Sequence, residues 1–450
     1  MYINIRKKAV YIAVFCIMLF LFTACEEEEG IKEVEIVKEL YMEESPYLEY
    51  EIPEMDVNIL VDLKGYEARG SKKVLFRNMG TQEVFHIVEQ NSGDIVYEGE
   101  IKQKGYNKEQ EEYNSYGEFS DFTQAGEYYI ECDRLGQSYS FTIEEALYQQ
   151  TLNELIMSLE VIIEEGTEED RETLMRQIII LLLSYELYPD AFLDEDGNEI
   201  PDLMEVITAM IKELSKFQDM KSGCVENLNY TYAATLAKYS YIYQKYDNAY
   251  ATEILNLADK AWRFAEGIRK SSSLGSESIK EADEAYRLLA ATELYRGAGQ
   301  SKYRNVIAQY QNNSGSVSGN DLLSEKYVVE QTLAKLTYIS TKRKVDMELC
   351  TEFMKEIMLE VEGIADRASK SPYFAARNIE EDGAEALVWD IVLLSVVEYV
   401  ISSHEYGLVI ENQYHYLLGA NEEAINYFDI QDNGILDAGL IMLLSAMIAV

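Results

Sequence analysis

The chain has 450 residues, of which 48% are hydrophobic, 27% are charged and only 5 are proline, a globular composition that excludes wholesale disorder and a collagen-like fibre. The length predicts two or three domains. Lysine and arginine number 39 against 81 aspartates and glutamates, and because the resulting net charge of -42 repels phosphate backbones, we expect no nucleic-acid binding.

The first 24 residues have the pattern of an export signal. A basic patch at residues 6–8 precedes an apolar run from Ala9 to Phe22, which is too short to span a bilayer comfortably. The run ends in Leu21-Phe22-Thr23-Ala24-Cys25, which resembles a bacterial lipobox. This resemblance implies cleavage of residues 1–24 and lipidation of Cys25, so that the exported protein faces outside and contacts the membrane through a lipid anchor only. An ordinary signal peptide cut nearby and an uncleaved anchor are the alternatives.

Residues 25–54 are strongly acidic and predict a solvated linker to the first folded domain. Beyond the linker, Cys132, Cys224 and Cys350 are too few and too widely separated for a disulfide framework, and no CxxC spacing indicates structural zinc. Asp194–Glu205 carries the acids of a calcium loop with its glycine in the wrong position, which favours the start of a helix instead. We therefore expect no metal and no cofactor.

Hydrophobic residues alternate with a period of two from Val57 to about Ile143. Short runs rich in β-branched and aromatic residues occur at Lys73–Phe76, Glu83–Val88 and Gly126–Ile130, and glycine- and asparagine-containing turn signals bound them. Several short strands in about 90 residues predict an immunoglobulin-like β-sandwich over residues 55–145.

From Glu144 onward the hydrophobic period changes to 3.6, which indicates helices joined by short loops. This pattern predicts an (α/α)6-barrel-like toroid of helical hairpins over residues 146–450; a superhelical repeat is the alternative, although no fixed repeat length is visible. The helical stretches are Leu147–Glu164, Asp170–Leu187, Asp202–Gln218, Tyr230–Gln244, Tyr250–Arg269, Ile279–Arg296, Lys302–Gln309, Glu325–Thr341, Asp346–Ala368, Glu385–Ser402, Tyr406–Leu418 and Asp437–Ile448.

Several segments resemble one known family in a shared order. Val61–Tyr66, with Gly65 and Tyr66 matching, resembles the opening of the immunoglobulin-like domain that precedes family 9 glycoside hydrolases, the cellulase family. Further segments of the helical part resemble the catalytic domain of that family: Leu181–Phe192, Asn198–Glu205, Ala282–Arg296 and Tyr416–Asn421. The resemblance covers about 390 residues.

The resemblance implies an inverting hydrolase with one acid and one base, but the motifs that carry these groups in the family are missing. Where the family has Asp-Ala-Gly-Asp, only Glu164 and Gly166 echo the first aspartate and the glycine, and Thr167 replaces the second aspartate. A threonine is not a base at neutral pH. The general-acid glutamate is replaced by Gly434, and the sugar-binding Pro-His-His-Arg loop is absent. We therefore predict no catalytic residues and a degenerate enzyme.

The predicted function is a non-catalytic role at the cell surface, either binding a β-glucan-type polysaccharide or acting as a scaffold for another surface protein. One alternative is an active hydrolase on β-1,4-glucans with relocated carboxylates, and another is a protein–protein interaction module. Candidate residues are the acids nearest the vacated positions, Glu164, Glu165 and Asp432, and the aromatic rings for stacking on sugars, Trp389, Tyr373 and Tyr232.

Overall fold

The structure is a computed structural model that describes most of the chain beyond the linker. The predicted signal peptide (1–24), Cys25 and the predicted linker (25–54) lie outside the described residues. The described residues are 57–77, 83–108, 110–159, 168–216, 226–271, 277–314, 328–401, 404–430 and 434–449.

The first part of the described chain is built from β-strands. The strands are β1 (Ile59–Leu60), β2 (Tyr66–Glu67), β3 (Lys73–Arg77), β4 (Val84–Glu89), β5 (Ile95–Asn107), β6 (Glu112–Glu118), β7 (Gly126–Cys132), β8 (Gly136–Gln137) and β9 (Phe141–Glu144).

The long strand β5 belongs to two sheets. Its first half pairs with β4 and its second half with β6, both antiparallel. One sheet therefore has the order β1-β3-β6-β5, and the other has the order β5-β4-β7-β9-β2 with β8 on the edge of β7. The two sheets enclose a core in which Phe85, Phe119 and Phe141 are buried. Burial of each such ring stabilises the fold by about 1.5–3 kcal/mol.

The sequence patterns located β3, β4 and β7 but not the hairpin formed by β5 and β6. The reason is physical: β5 reads Ile-Val-Tyr-Glu-Gly-Glu-Ile-Lys-Gln-Lys-Gly-Tyr-Asn, and most of its side chains are exposed. A strand with neither face in a core lacks the alternation on which such a prediction depends.

The second part of the described chain is mostly helical. The helices are α1 (Leu147–Ser158), α2 (Glu168–Leu187), α3 (Asp202–Lys216), α4 (Glu226–Tyr243), α5 (Asn248–Ser271), α6 (Glu277–Ala298), α7 (Ser301–Ser314), α8 (Val328–Ser340), α9 (Met347–Lys370), α10 (Ile379–Asp382), α11 (Ala384–Val400), α12 (Gly407–Leu417), α13 (Tyr427–Ile430) and α14 (Gly434–Ile448).

Buried and one-sided helices alternate along the chain. Six helices are buried over most of their described residues: α2, α4, α6, α8, α11 and α14. Three others, α3, α5 and α9, bury one face and expose the opposite face. The buried helices pack on one another in the order α11, α14, α2, α4, α6, α8, and α9 contacts both α8 and α11. The first halves of α2, α6, α8 and α11 contact one another through Arg176, and the second halves of α2, α4 and α6 contact one another through Glu186. These helices therefore run in the same direction, and their N-terminal ends share one side.

Candidate functional site

The contact between the sandwich and the helices is formed by segments that the sequence analysis singled out. The backbone N–H of Leu63 donates to the carbonyl of Leu418 at 2.7 Å. Gly419 has a φ of +132°, and a Cβ there would lie 2.6 Å from Leu63 Cγ and 2.7 Å from the Val61 carbonyl oxygen. Only glycine adopts this φ without strain and leaves room for the close approach of Leu63 and Val61, so Gly419 allows the two domains to come into contact.

A buried pair of side chains, Asp62 and His415, links the two parts of the chain. The Asp62 carboxylate lies 2.8 Å from Nδ1 of His415, and Nε2 of His415 lies 3.0 Å from the Ser71 carbonyl oxygen. The second oxygen of Asp62 accepts from the backbone N–H groups of Lys64 and Gly65 at 2.8 and 3.1 Å. Burial raises the pKa of Asp62, although the hydrogen bond from His415 opposes that shift. The pair therefore joins the sandwich to α12 through a fully buried hydrogen bond.

Tyr373 also lies in this contact. Its hydroxyl donates to Glu112 at 2.7 Å and accepts from the Arg77 guanidinium at 3.0 and 3.1 Å. Burial raises the pKa of Tyr373, and the Glu112 carboxylate raises it further, although the charge of Arg77 opposes both effects. Because the ring is buried between the sandwich and the helices, we no longer expect Tyr373 to stack on a sugar.

A groove of about 430 Å³ lies beside the same contact, between β2, α1, α12 and the end of α14. Its carboxylates already have partners. Glu411 accepts from Ser71 N–H at 2.8 Å and from the Tyr148 hydroxyl at 2.6 Å, and Glu398 accepts from Tyr406 N–H at 2.9 Å. Glu411 therefore serves the domain contact, whereas Glu398 holds the segment at the start of α12.

The position of the expected general acid is described at Gly434, the first residue of α14. A Cβ added at Gly434 would lie 2.8 Å from the Cδ, Nε2 and Oε1 atoms of Gln177 on α2. Gln177 is buried. The carboxamide of Gln177 therefore fills the space that a side chain at position 434 would need.

One residue before Gln177, Arg176 forms the centre of a polar cluster at the N-terminal side of the buried helices. Its guanidinium contacts Glu172 at 3.0 Å, Glu330 at 3.4 Å, the Tyr286 hydroxyl at 3.0 Å, and Glu385. The Tyr286 hydroxyl donates in turn to Glu172 at 2.7 Å. We call these five residues the Arg176 cluster. Glu330 and Glu385 lie in the first turns of α8 and α11, where the helix dipole favours negative charge.

The electrostatics of the Arg176 cluster are unbalanced. Burial tends to lower the pKa of Arg176, but Tyr286 and the three carboxylates outweigh this effect and raise it, so the guanidinium stays charged. Burial raises the pKa of Glu330, and Arg176 opposes that shift without cancelling it. Glu330 is only 4% exposed, and its Oε2 accepts no hydrogen bond from the described residues.

The two other aromatic candidates are also buried. Trp389 lies one turn after Glu385 on α11, and its indole Nε1 is 3.5 Å from the Glu385 carboxylate, so Trp389 adjoins the Arg176 cluster. Tyr232 is buried on α4, and burial raises its pKa to about 12. The structure therefore places Trp389 beside the cluster and Tyr373 in the domain contact, and neither ring is exposed for stacking.

The opposite ends of the buried helices hold a second charged network. Lys238 and Arg296 contact Glu186 at 2.9 and 2.6 Å, and Arg296 contacts Glu293 at 2.6 Å. The Thr337 hydroxyl donates to Glu293 at 2.8 Å. Burial would raise the pKa of Glu186, but Arg296 and Lys238 outweigh burial and lower it to about 2. The network lines a small cavity of about 50 Å³ and pairs two basic side chains with two carboxylates, which indicates a structural role.

Three acids proposed from the sequence, Glu164, Glu165 and Asp432, lie outside the described residues. Sequence reasoning missed the Arg176 cluster, because its members come from four helices. Only the i,i+4 spacing of Glu172 and Arg176 on one helix was a local signal. Within the described ranges, no group of three or more histidines, cysteines and acids is arranged to hold a metal, and no helix is long and apolar enough to cross a bilayer.

Two family models match the chain, and together they cover both parts of the fold. The model of the cellulase N-terminal ig-like domain matches residues 54–137, and the model of glycosyl hydrolase family 9 matches residues 199–428. They confirm the prediction of an immunoglobulin-like domain followed by a mostly helical family 9 part. No curated protein matches the chain.

Solved structures of family 9 proteins share the fold. A metagenome-derived glycoside hydrolase family 9 endoglucanase aligns with a TM-score of 0.71 at 16% identity, covering 87% of this chain and 99% of its own. A mutant thermostable endoglucanase from Alicyclobacillus acidocaldarius aligns with a TM-score of 0.64 at 15% identity, covering 83% and 84%. A family 9 protein of Bacteroides ovatus aligns with a TM-score of 0.65 at 15% identity, covering 87% and 99%. Since the family model spans more than half of the sequence, the chain belongs to glycosyl hydrolase family 9.

Proposed function

We propose that this protein is a family 9 member that has lost hydrolysis and binds a β-glucan-type polysaccharide at the cell surface. The observation that carries the proposal is the pairing of Gly434 with Gln177. Inversion needs an acid that protonates the leaving oxygen and a base that activates water. Gly434 has no proton to donate, and the neutral carboxamide that fills its space is neither an acid nor a base at neutral pH.

We further infer that the buried helices of the family 9 part close into an (α/α)6 barrel. The contact order α11, α14, α2, α4, α6, α8 supports this inference, as does α9, which bridges α8 and α11. In such a barrel the Arg176 cluster lies at one end and the Glu186 network at the other. The polysaccharide would then meet the end that carries the Arg176 cluster.

Attachment to the membrane through Cys25 is part of the same proposal, and the lipobox-like segment that ends at Cys25 supports it. Cys25→Ser should release the protein from membranes or leave it unprocessed. Detergent partitioning of both forms measures this, and unchanged membrane retention of a processed variant would exclude the lipid anchor.

The main alternative is an active hydrolase with relocated carboxylates. The observation that favours it is Glu330, a buried acid of raised pKa near the carboxylate of Glu172. However, both glutamates contact the same nitrogen of Arg176, at 3.0 and 3.4 Å, which brings these two oxygens closer together than the separation of about 6.5–9.5 Å used for inversion. Arg176 also occupies the space between the two side chains.

The experiment that decides between these functions combines hydrolysis with binding. Purified protein is incubated with cellulosic and mixed-linkage glucans, reducing ends are measured, and retention in glucan-containing gels is recorded. We expect retention without release of reducing ends. Turnover near the enzymatic median of about 10 s⁻¹ would establish the hydrolase. If the protein shows neither turnover nor retention, the result favours the protein–protein interaction module.

A further inference from the structure

We propose that the Arg176 cluster binds the protonated amine of an amino-sugar unit, so that the polysaccharide recognised at the cell surface carries free amino groups. This inference rests on the proposed binding function and adds the class of ligand. Three kinds of observation carry it: the charge of the cluster, the buried acceptor at Glu330 and the gradient of exposure across the carboxylates.

Acidic groups outnumber basic groups in the cluster, which favours the binding of a further cation. Three carboxylates, those of Glu172, Glu330 and Glu385, contact a single guanidinium. Carboxylates that share one cation repel one another, and this repulsion weakens when a second positive charge arrives. A neutral sugar hydroxyl supplies no such charge, whereas a protonated amine supplies one charge and three donors.

The acceptor for that amine is Oε2 of Glu330. This oxygen is buried, and it accepts no hydrogen bond from the described residues, while the other oxygen faces Arg176 at 3.4 Å. A buried carboxylate oxygen without a donor is destabilised, and a donor from a ligand removes that penalty. An ammonium group is the strongest such donor, because charge-assisted hydrogen bonds are about twice as strong as neutral ones.

The three carboxylates of the cluster differ in their exposure to solvent. The side chains of Glu385 and Glu172 are 48% and 37% exposed, whereas that of Glu330 is 5% exposed. An amine that approaches the outer two carboxylates therefore reaches the buried acceptor by following increasing negative potential. A divalent cation fits poorly in the same place, because Arg176 lies between the carboxylates and keeps them from converging on one ion.

The experiment compares three soluble oligosaccharides with the same β-1,4 backbone by isothermal titration calorimetry on the full exported chain. The first is a tetramer of glucosamine, the second its fully N-acetylated counterpart and the third cellotetraose. The titrations are run at about pH 6, where the amine is protonated. We expect the glucosamine tetramer to bind at least about tenfold more tightly than the other two, with an affinity that falls as salt is added.

Variants assign the effect to the cluster. Glu330→Gln keeps the shape and removes the charge, and we expect it to weaken binding of the glucosamine tetramer about tenfold without changing the affinity for cellotetraose. Glu118→Gln, at an exposed ion pair with Lys102 in the sandwich, is the matched control and should change neither affinity. If Glu330→Gln does not fold, Glu385→Gln takes its place, because the exposed Glu385 tolerates substitution.

The outcomes separate this inference from the function on which it rests. Equal binding of all three tetramers keeps the glycan-binding function and overturns the amine site. Binding of none of them overturns both. A preference for the glucosamine tetramer that survives Glu330→Gln and Glu385→Gln shows that the amine binds elsewhere, which also overturns the assignment.

Discussion

Asp62→Ala should destabilise the protein more than any single substitution at an exposed aspartate. The Asp62 carboxylate accepts from His415 and from two backbone N–H groups, and it is fully buried. Truncation leaves the His415 ring buried beside an empty acceptor position. Removing one partner of a buried charged pair costs about 3–5 kcal/mol, and we expect a loss in that range.

Asp62→Asn should cost far less, because the geometry offers the amide a complete set of partners. Asparagine keeps one oxygen for the N–H groups of Lys64 and Gly65, and its NH2 group is placed to donate to Nδ1 of His415. The Nε2–H of His415 still donates to the Ser71 carbonyl. We therefore expect a loss of about 1 kcal/mol, the value of an ordinary hydrogen bond.

The free energy of unfolding is measured by urea denaturation of the wild type, both Asp62 variants and the control Asp133→Ala, which changes an exposed aspartate of the sandwich. The decisive quantity is the difference between the alanine and asparagine variants. Equal losses for the two would refute the argument from hydrogen-bond geometry. Losses below about 1 kcal/mol for both would refute the claim that this pair holds the two parts together.

Three further predictions concern other features. Gly434→Ala should lower the free energy of unfolding by about 1–2 kcal/mol because its Cβ displaces Gln177. In the double variant with Gln177→Ala this loss should disappear, and additive losses of the two substitutions in urea denaturation would contradict the pairing. Because the pKa of Glu186 is lowered from 4.5 to about 2 in the folded protein, its stabilising contribution is complete above about pH 4.5. We expect this contribution, about 3 kcal/mol, to be lost as the pH drops through about 2. Glu186→Gln should flatten this pH dependence of the free energy of unfolding, measured by urea denaturation at each pH. Tyr373→Phe should destabilise the protein by about 1–3 kcal/mol in urea denaturation through loss of its bond to Glu112 and leave glucan retention unchanged, whereas selective loss of retention would show that its hydroxyl contacts the glycan.

The parts of the fold that sequence reasoning found are those with a regular hydrophobic period. The stretch Asp202–Gln218 was predicted as a helix and is α3 (Asp202–Lys216), because its apolar residues recur on one buried face. The strand β5 was missed because its side chains are mostly exposed, and pairing with β4 and β6 holds it instead.

The candidate site was less accessible to sequence reasoning. The absence of a glutamate at position 434 was visible in the sequence, but the filling of its space by Gln177 was not, because the two residues lie far apart in the chain. The same holds for Arg176 and Glu330, whose contact depends on how two helices pack. The burial of Tyr373 was not visible in the sequence, because an aromatic ring near a loop looks the same there whether it faces solvent or another domain.

The pairing of Gly434 with Gln177 has a consequence for the history of the chain. A mutation that placed a glutamate at position 434 would set its Cβ 2.8 Å from the Gln177 carboxamide, so the end of this buried side chain would have to move to make room. Under the proposed function, an acid regained at this position would therefore have to be accompanied by a rearrangement of Gln177.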